Sequence, residues 1–118
     1  MTAFVHSEAI QSAWHPVAES TDIDDGPHGF TLLGAAFVAW RSADGAAVVA
    51  RDRCPHREAP LTAGSVSDGV LSCPYHGWSF AEGGRCVLVP SSGEGATVPP
   101  AAHLATMHVD ERYGLVWV

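Results

Sequence analysis

The stretches RDRCPHREAPL (residues 51–61) and CPYHGW (residues 73–78) each place a cysteine and a histidine in a short segment marked by proline. Proline fixes φ and removes an amide donor, so both segments are expected to form rigid loops. A metal centre needs preset ligand positions, and rigid loops supply them. Two thiolates and two imidazoles are therefore candidate ligands of one inorganic centre. They are Cys54, His56, Cys73 and His76.

Two kinds of centre accept this donor set: tetrahedral zinc, or a [2Fe-2S] cluster of the Rieske kind. Zinc modules of the Cys2His2 kind usually place two cysteines together and then two histidines together. Here each loop contributes one of each. That interleaving favours a binuclear centre in which one iron takes both cysteines and the other takes both histidines. Zinc remains an alternative, and so does a coincidental set of polar loop residues.

Composition limits what else the chain can be. Its 118 residues predict one domain, and 47% hydrophobic with 16% charged residues predict a globular one. The net charge is −7 and all six basic residues are arginine, which disfavours binding to nucleic acid. No apolar run approaches the ~20 residues of a membrane span. No signal peptide is visible at the N-terminus, so a cytoplasmic location is expected.

The number of cysteines points the same way. There are three, Cys54, Cys73 and Cys86, and an odd number in such a chain argues against a disulfide framework. Metal ligation is the better interpretation for two of them. Cys86 stands in the strand-like run RCVLV and is predicted to be a buried apolar thiol.

The rest of the sequence predicts strands. Short runs rich in Val, Leu, Phe and Trp alternate with Gly and Pro turns, which indicates an antiparallel sandwich or small barrel. The predicted strand regions are 13–19, 30–42 (two strands broken at Gly34), 46–52, 69–73, 78–89 and 103–118. A hairpin turn is predicted at ADGA (43–46), a helical turn capped by Ser7 at 7–14, and a loop at 90–102.

The pattern of C-P-H followed after sixteen residues by C-P-Y-H-G-W resembles the Rieske signature C-x-H…C-x-x-H. The stretches WHPVAES, LLGAAFVAWR, GGRCVLVP and YGLVWV extend the likeness to the N-terminal Rieske domain of aromatic-ring-hydroxylating oxygenase α subunits, over nearly the whole chain. The resemblance implies an all-β, antiparallel Rieske-type sandwich with a cluster-binding subdomain of two ligand loops. It implies a single domain over residues 1–118, with the cluster-binding portion at approximately 51–90. It also implies one [2Fe-2S] cluster per chain on Cys54, His56, Cys73 and His76.

The resemblance also separates branches of this family. Respiratory Rieske proteins carry an extra cysteine in each loop, and a disulfide joins the two; Ala59 and Tyr75 stand at those positions here. Those proteins also place a serine after H-G, where this chain has Trp78. Fewer hydrogen bonds to the cluster favour the lower part of the Rieske range, roughly −150 to +300 mV. Pro90 resembles the third loop that shields the cluster from water.

The function implied is one-electron transfer, as the electron-delivering domain of a ring-hydroxylating, non-haem iron oxygenase system. A flavoprotein or ferredoxin reductase is the expected donor, and a mononuclear-iron oxygenase domain the expected acceptor. The chain is then a redox-active component of an oxidoreductase, with no substrate site of its own. The alternative is a free-standing Rieske ferredoxin between a flavoprotein reductase and a separate oxygenase. A cluster-free binding sandwich is least favoured, because four intact ligands would have no purpose in it.

One other pair of histidines has ligand-like spacing. His103 and His108 form H-x4-H, which resembles the mononuclear-iron histidines of the oxygenases' catalytic domain. The carboxylates expected upstream are absent, since Ala96 and Pro100 occupy those places. If the segment is a strand, residues five apart face opposite sides of it. The pair is therefore not predicted to bind one iron.

Overall fold

The computed structural model describes residues 14–55, 59–74, 77–88 and 103–118. In chain order the strands there are β1 (Pro16–Glu19), β2 (His28–Leu32), β3 (Ala35–Arg41), β4 (Ala47–Arg51), β5 (Ser65–Ser67), β6 (Val70–Ser72), β7 (Ser79–Phe80), β8 (Cys86–Leu88), β9 (Asp110–Arg112) and β10 (Leu115–Trp117). Short 3-10 helices span Ser20–Ile23, Leu61–Ala63 and Glu82–Gly84. These ranges contain no α-helix, and none of their helices has the length and apolar character needed to cross a membrane. The predicted all-β fold class is confirmed.

The strands form three antiparallel sheets. The central sheet has the order β2-β3-β4, the loop sheet β5-β6-β7-β8, and the terminal sheet β1-β10-β9. The predicted break at Gly34 is confirmed: Leu33 (φ 51°) and Gly34 (φ 85°) form the two-residue turn between β2 and β3. Positive φ at both residues matches the right-handed twist of the strands. Asp68–Gly69 and Tyr113–Gly114 make the same kind of turn.

The central sheet is buried on both faces, which explains why LLGAAFVAW is almost continuously apolar. Alternate residues of β3 and β4 point to opposite sides. One side packs towards the loop sheet, in the cluster of Val38, Trp40, Val48, Ala50, Cys54, Ala59, Leu61, Leu71, Cys73, Phe80, Cys86 and Leu104. The other packs towards the terminal sheet, in the cluster of Ile23, Ala35, Phe37, Ala39, Val49, Val116 and Val118. The central sheet thus joins two separate cores.

The terminal sheet brings distant parts of the chain together. β1 pairs with β10, so that Pro16 lies opposite Trp117. Just beyond this pair, His15 and Val118 exchange two backbone hydrogen bonds, with N–H···O distances of 2.7 and 2.9 Å. The chain therefore enters and leaves this sheet at one place.

Two predicted strand regions are shorter than expected. Only β9 and β10 form strands within 103–118; before them, Thr106 makes a single bridge to Ala50. Met107 N–H donates to the carbonyl of Val49 at 2.9 Å, so isolated contacts with β4 replace a ladder there. The 3-10 helix at Glu82–Gly84 interrupts region 78–89. The helical turn begun at Ser7 and the loop at 90–102 lie outside the described residues.

Arg41 joins the central sheet to the terminal sheet with all five of its N–H donors. Its Nε donates to Asp24 at 3.0 Å, and two bonds of 3.0 Å reach the carboxylate of Glu111. The remaining donors reach the carbonyls of Gly45 at 2.8 Å and Ser20 at 2.9 Å. The Arg41 hydrogen bond, followed by one from Ser20, holds the pKa of Glu111 below its ordinary value. The pKa of Arg41 is raised, chiefly by the bond to Glu111.

Replacing Arg41 should therefore weaken the fold in a pH-dependent way. We expect Arg41→Met to lower the free energy of unfolding near pH 7 by about 2 kcal/mol, a value reduced for the partial exposure of the pair. A lowered carboxyl pKa stabilises the fold above the unfolded value of about 4.3, and this is lost as pH falls through the folded value. The difference between wild type and variant should therefore shrink in acid. Urea unfolding at several pH values, followed by circular dichroism, measures this.

Arg112→Met is the matched control. Arg112 pairs with Asp110 at the surface, where the two side chains are 66% and 45% exposed. Exposed pairs contribute little to stability, so this variant should unfold almost as wild type does. An equal loss in both variants, or a difference that does not depend on pH, would contradict the role given to Arg41.

Candidate metal centre

Two loops of matching backbone geometry carry the cysteines predicted as ligands. They are ligand loop 1, residues 54–59, and ligand loop 2, residues 73–78. Cys54 N–H donates to the carbonyl of Ala59 at 2.8 Å, and Cys73 N–H donates to the carbonyl of Trp78, also at 2.8 Å. In both loops the bond runs from the cysteine to the fifth residue after it. The two motifs found in the sequence therefore close in the same way.

The thiols of Cys54 and Cys73 are brought into one apolar cluster. Cys54 is 1% exposed and Cys73 is 6% exposed. All three cysteines lie in the described residues, and no disulfide joins any of them. An apolar site with two buried thiols suits a metal centre, because metal ions compensate the charge of thiolates that would be costly to bury alone. His56 and His76 lie outside the described residues, so the four-ligand set remains a prediction.

The ends of ligand loop 1 are fixed by a carboxylate. One oxygen of Asp52 accepts the backbone N–H of Thr62 at 2.9 Å, and the other accepts the Thr62 hydroxyl at 2.8 Å. Asp52 directly follows β4, and Thr62 lies in the 3-10 helix Leu61–Ala63. This Asp52–Thr62 pair spans the loop on the outside of its backbone closure, so the loop starts and ends at fixed points.

The ends of ligand loop 2 are fixed by two hydroxyls. Ser72 and Ser79 lie opposite each other on β6 and β7, and their Oγ atoms are 3.0 Å apart. The hydroxyl of Ser79 also donates to the carbonyl of Gly77 at 2.9 Å. Inside the loop, Gly77 N–H donates to the carbonyl of Cys73 at 3.2 Å, with Gly77 at φ 72°.

Sequence reasoning missed both of these supports. The available signal was a serine on each side of the second motif, in S-CPYHGW-S, and an aspartate two residues before the first cysteine. Polar residues next to ligand loops are common on any surface, so the pattern alone did not distinguish them. The distinction comes from the strand pairing, which places Ser72 opposite Ser79.

Cys86 is buried, as predicted, and is 3% exposed in the same apolar cluster. Its backbone N–H donates to Nδ1 of His103 at 2.9 Å. The strand reasoning used against the His103/His108 pair was wrong, because residues 103–109 form no named strand. The bond to Cys86 nevertheless occupies one ring nitrogen of His103.

The arginines near the loops differ in their surroundings. Arg85 forms an ion pair with Glu82 at 2.7 Å, and this hydrogen bond holds the pKa of Glu82 below its ordinary value. Arg51 lies over the Phe37 ring, 5.5 Å from its centroid. Arg51 and Arg53 also line a groove of about 260 Å³ beside ligand loop 1, with Cys54, Pro55, His103, Leu104 and Ala105. In the described part of the chain, this groove approaches the centre from the Cys54 side.

Comparison with known proteins decides which family this geometry belongs to. A profile described as "Rieske [2Fe-2S] domain" matches residues 13–107. The chain belongs to the Rieske [2Fe-2S] domain family. Its centre is therefore the [2Fe-2S] cluster that Rieske domains bind, and the zinc interpretation is set aside. The Ala59 side chain is buried in the apolar cluster beside Cys54, at the position where respiratory Rieske proteins carry a cysteine.

Relatives of this Rieske domain are oxygenases of about three times its length. The aminopyrrolnitrin oxygenase PrnD of Pseudomonas fluorescens is 37% identical over 98% of this chain and 33% of its own length. The methylxanthine N1-demethylase NdmA of Pseudomonas putida is 38% identical over 94% of this chain and 33% of its own length. A solved NdmA structure superposes with a TM-score of 0.84 over 93% of this chain and 34% of that one. A plant relative, TIC 55 of Arabidopsis thaliana, is 38% identical over 89% of this chain and 20% of its own length.

Cysteine variants test the assignment of thiols within this Rieske domain. Cys86→Ala should keep the cluster, since Cys86 packs in β8 outside both ligand loops. Cys54→Ala and Cys73→Ala should each lose it, because each removes a thiolate that no neighbouring group replaces. Iron content and visible absorption measure the outcome. If folded Cys86→Ala lost the cluster while Cys54→Ala kept it, the assignment of thiols would be wrong.

Proposed function

We propose that this Rieske domain delivers single electrons within a non-haem iron oxygenase system. The observation that carries the proposal is the pair of matching cysteine loops, closed at the same spacing and buried in one core. The relatives named above that are oxygenases support it. The chain spans about a third of their length, so their oxygenase activities are not assigned to it.

The protein's part in this function is to hold and shield the cluster. Thiolates of Cys54 and Cys73 would bind one iron, and imidazoles of His56 and His76 the other. When bound, a Rieske cluster supplies reversible one-electron redox chemistry. Burial of both cysteines keeps water from the thiolate side and lowers the local dielectric. The supports at Asp52–Thr62 and Ser72–Ser79 keep the loops in place, which limits reorganisation when the charge of the site changes.

The partners follow from this role. A flavoprotein or ferredoxin reductase would donate the electron, and a mononuclear-iron oxygenase domain would accept it. Residues 1–118 would act as one domain, with the cluster-binding portion at about 51–90, in the cytoplasm. A free-standing Rieske ferredoxin is the second candidate. Its chain length agrees with such a carrier, whereas the oxygenase relatives favour the first.

The content of the centre tests the proposal directly. Purified aerobically, the protein should be red-brown and contain two irons and two sulfides per chain, because mixed Cys and His loops suit a binuclear cluster. Metal and sulfide analysis, with EPR spectra after anaerobic reduction, measures this. A colourless protein that retains one zinc per chain after reconstitution with iron and sulfide would overturn it.

Activity assays separate electron delivery from oxygenation. We expect a flavoprotein reductase with NADH to reduce the chain, and we expect no hydroxylated product until an iron-bearing oxygenase domain is added. Oxygen activation needs an iron with open coordination positions, and a cluster with four protein ligands offers none. Product is followed by chromatography over a panel of aromatic substrates. Product from the chain and reductase alone, above a peroxide control, would reveal a second metal site.

A further inference from the structure

Ser79 is a buried polar residue placed between ligand loop 2 and the strand that follows it. It is 6% exposed, and in the described part of the chain its only companion among buried polar or charged residues is Ser42. Ser42 bonds to Asp44 and Ala46 in its own turn, remote from the ligand loops. Burying a hydroxyl is costly unless it is hydrogen-bonded, so the contacts of Ser79 explain why it is tolerated.

The direction of those hydrogen bonds can be worked out. A serine hydroxyl has one proton to donate. Ser79 donates its proton to the carbonyl of Gly77, an acceptor that has none to give. The bond between Ser72 and Ser79 must therefore run from the Ser72 hydroxyl to Oγ of Ser79. The chain of bonds runs in one direction, Ser72 to Ser79 to Gly77, and ends on the backbone of ligand loop 2.

Ser72, at the start of this chain of bonds, is itself held in place. Gly64 lies so close to the Ser72 carbonyl that a Cβ at residue 64 would overlap it. Gly64 caps the 3-10 helix Leu61–Ala63, and Thr62 of that helix is the partner of Asp52. The support of ligand loop 2 thus rests against the support of ligand loop 1.

The bond to Gly77 fixes the orientation of one peptide unit. The described residues contain no cis peptide, so with its carbonyl held by Ser79, the N–H of Trp78 points away from Ser79. The dipole of this peptide lies inside a loop that carries a predicted iron ligand at each end of C-P-Y-H. Dipoles and hydrogen bonds around an iron–sulfur cluster set its reduction potential.

We propose that Ser79 is a positioning residue that sets the properties of the cluster by orienting the Gly77–Trp78 peptide. Without it, the Gly77 carbonyl loses its donor and is free to turn. A carbonyl oxygen turned towards the centre would disfavour the added electron, so the potential would fall. This inference rests on the proposed function, since it requires a cluster between the two loops.

The experiment compares Ser79→Ala with wild type in the reconstituted protein. We expect a lower midpoint potential, broader EPR features, and cluster release to a chelator that is several-fold faster. In the cluster-free chain, hydrogen exchange should speed up in residues 73–78 and stay unchanged in β3. The last measurement does not depend on the metal and reports the loop alone.

Three further variants sharpen the test. Ser65→Ala is the matched control, because Ser65 lies opposite Ser72 on the other side of β6 and makes no bond to the loop; it should behave as wild type. Ser72→Ala keeps the bond to Gly77 and should give a smaller shift. Ser79→Thr keeps the hydroxyl and should restore the wild-type potential.

The outcomes distinguish this inference from the proposed function. If wild type binds no [2Fe-2S] cluster, the proposed function fails. If wild type binds it and Ser79→Ala shows the same potential, EPR line shape and exchange, the positioning role fails. If Ser65→Ala shifts the potential as much as Ser79→Ala, the effect belongs to the sheet in general, and the positioning role also fails.

Discussion

The backbone bond from each of Cys54 and Cys73 to the carbonyl five residues later is the constraint on which the site depends. Both are 2.8 Å long, and they give two loops of different sequence the same start and end. A closure of this kind turns each cysteine into the core and leaves the loop tip to carry the other predicted ligand. The surrounding polar contacts act on the ends of loops that are already closed.

The sheets explain why the loops occupy fixed positions relative to each other. Ligand loop 1 follows β4 of the central sheet, and ligand loop 2 connects β6 to β7 of the loop sheet. Val48 and Ala50 of the central sheet share one cluster with Leu71 and Phe80 of the loop sheet. Packing at this interface therefore determines the spacing of the cysteines. The Arg41 network adds a polar connection on the other side, towards the terminal sheet.

Much of this organisation was predictable from local sequence. The loops were found because proline, cysteine and histidine recur at short spacing, and the β2–β3 hairpin because Gly34 interrupts an apolar run. The interruption of β7 and β8 and the irregular course of residues 103–109 were not found, since both depend on contacts with distant strands. Ser79 was missed for the same reason: its role requires knowledge that Ser72 lies opposite it.

The paired bonds between His15 and Val118 have a consequence for how such a domain is built into larger proteins. Adjacent entry and exit points are the arrangement that tolerates insertion into a host, because the host chain is interrupted at a single point on its surface. Tension applied across these two points would open β1 from β10 one bond at a time. The cysteine loops, on the far side of the central sheet, would be the last region to experience that force.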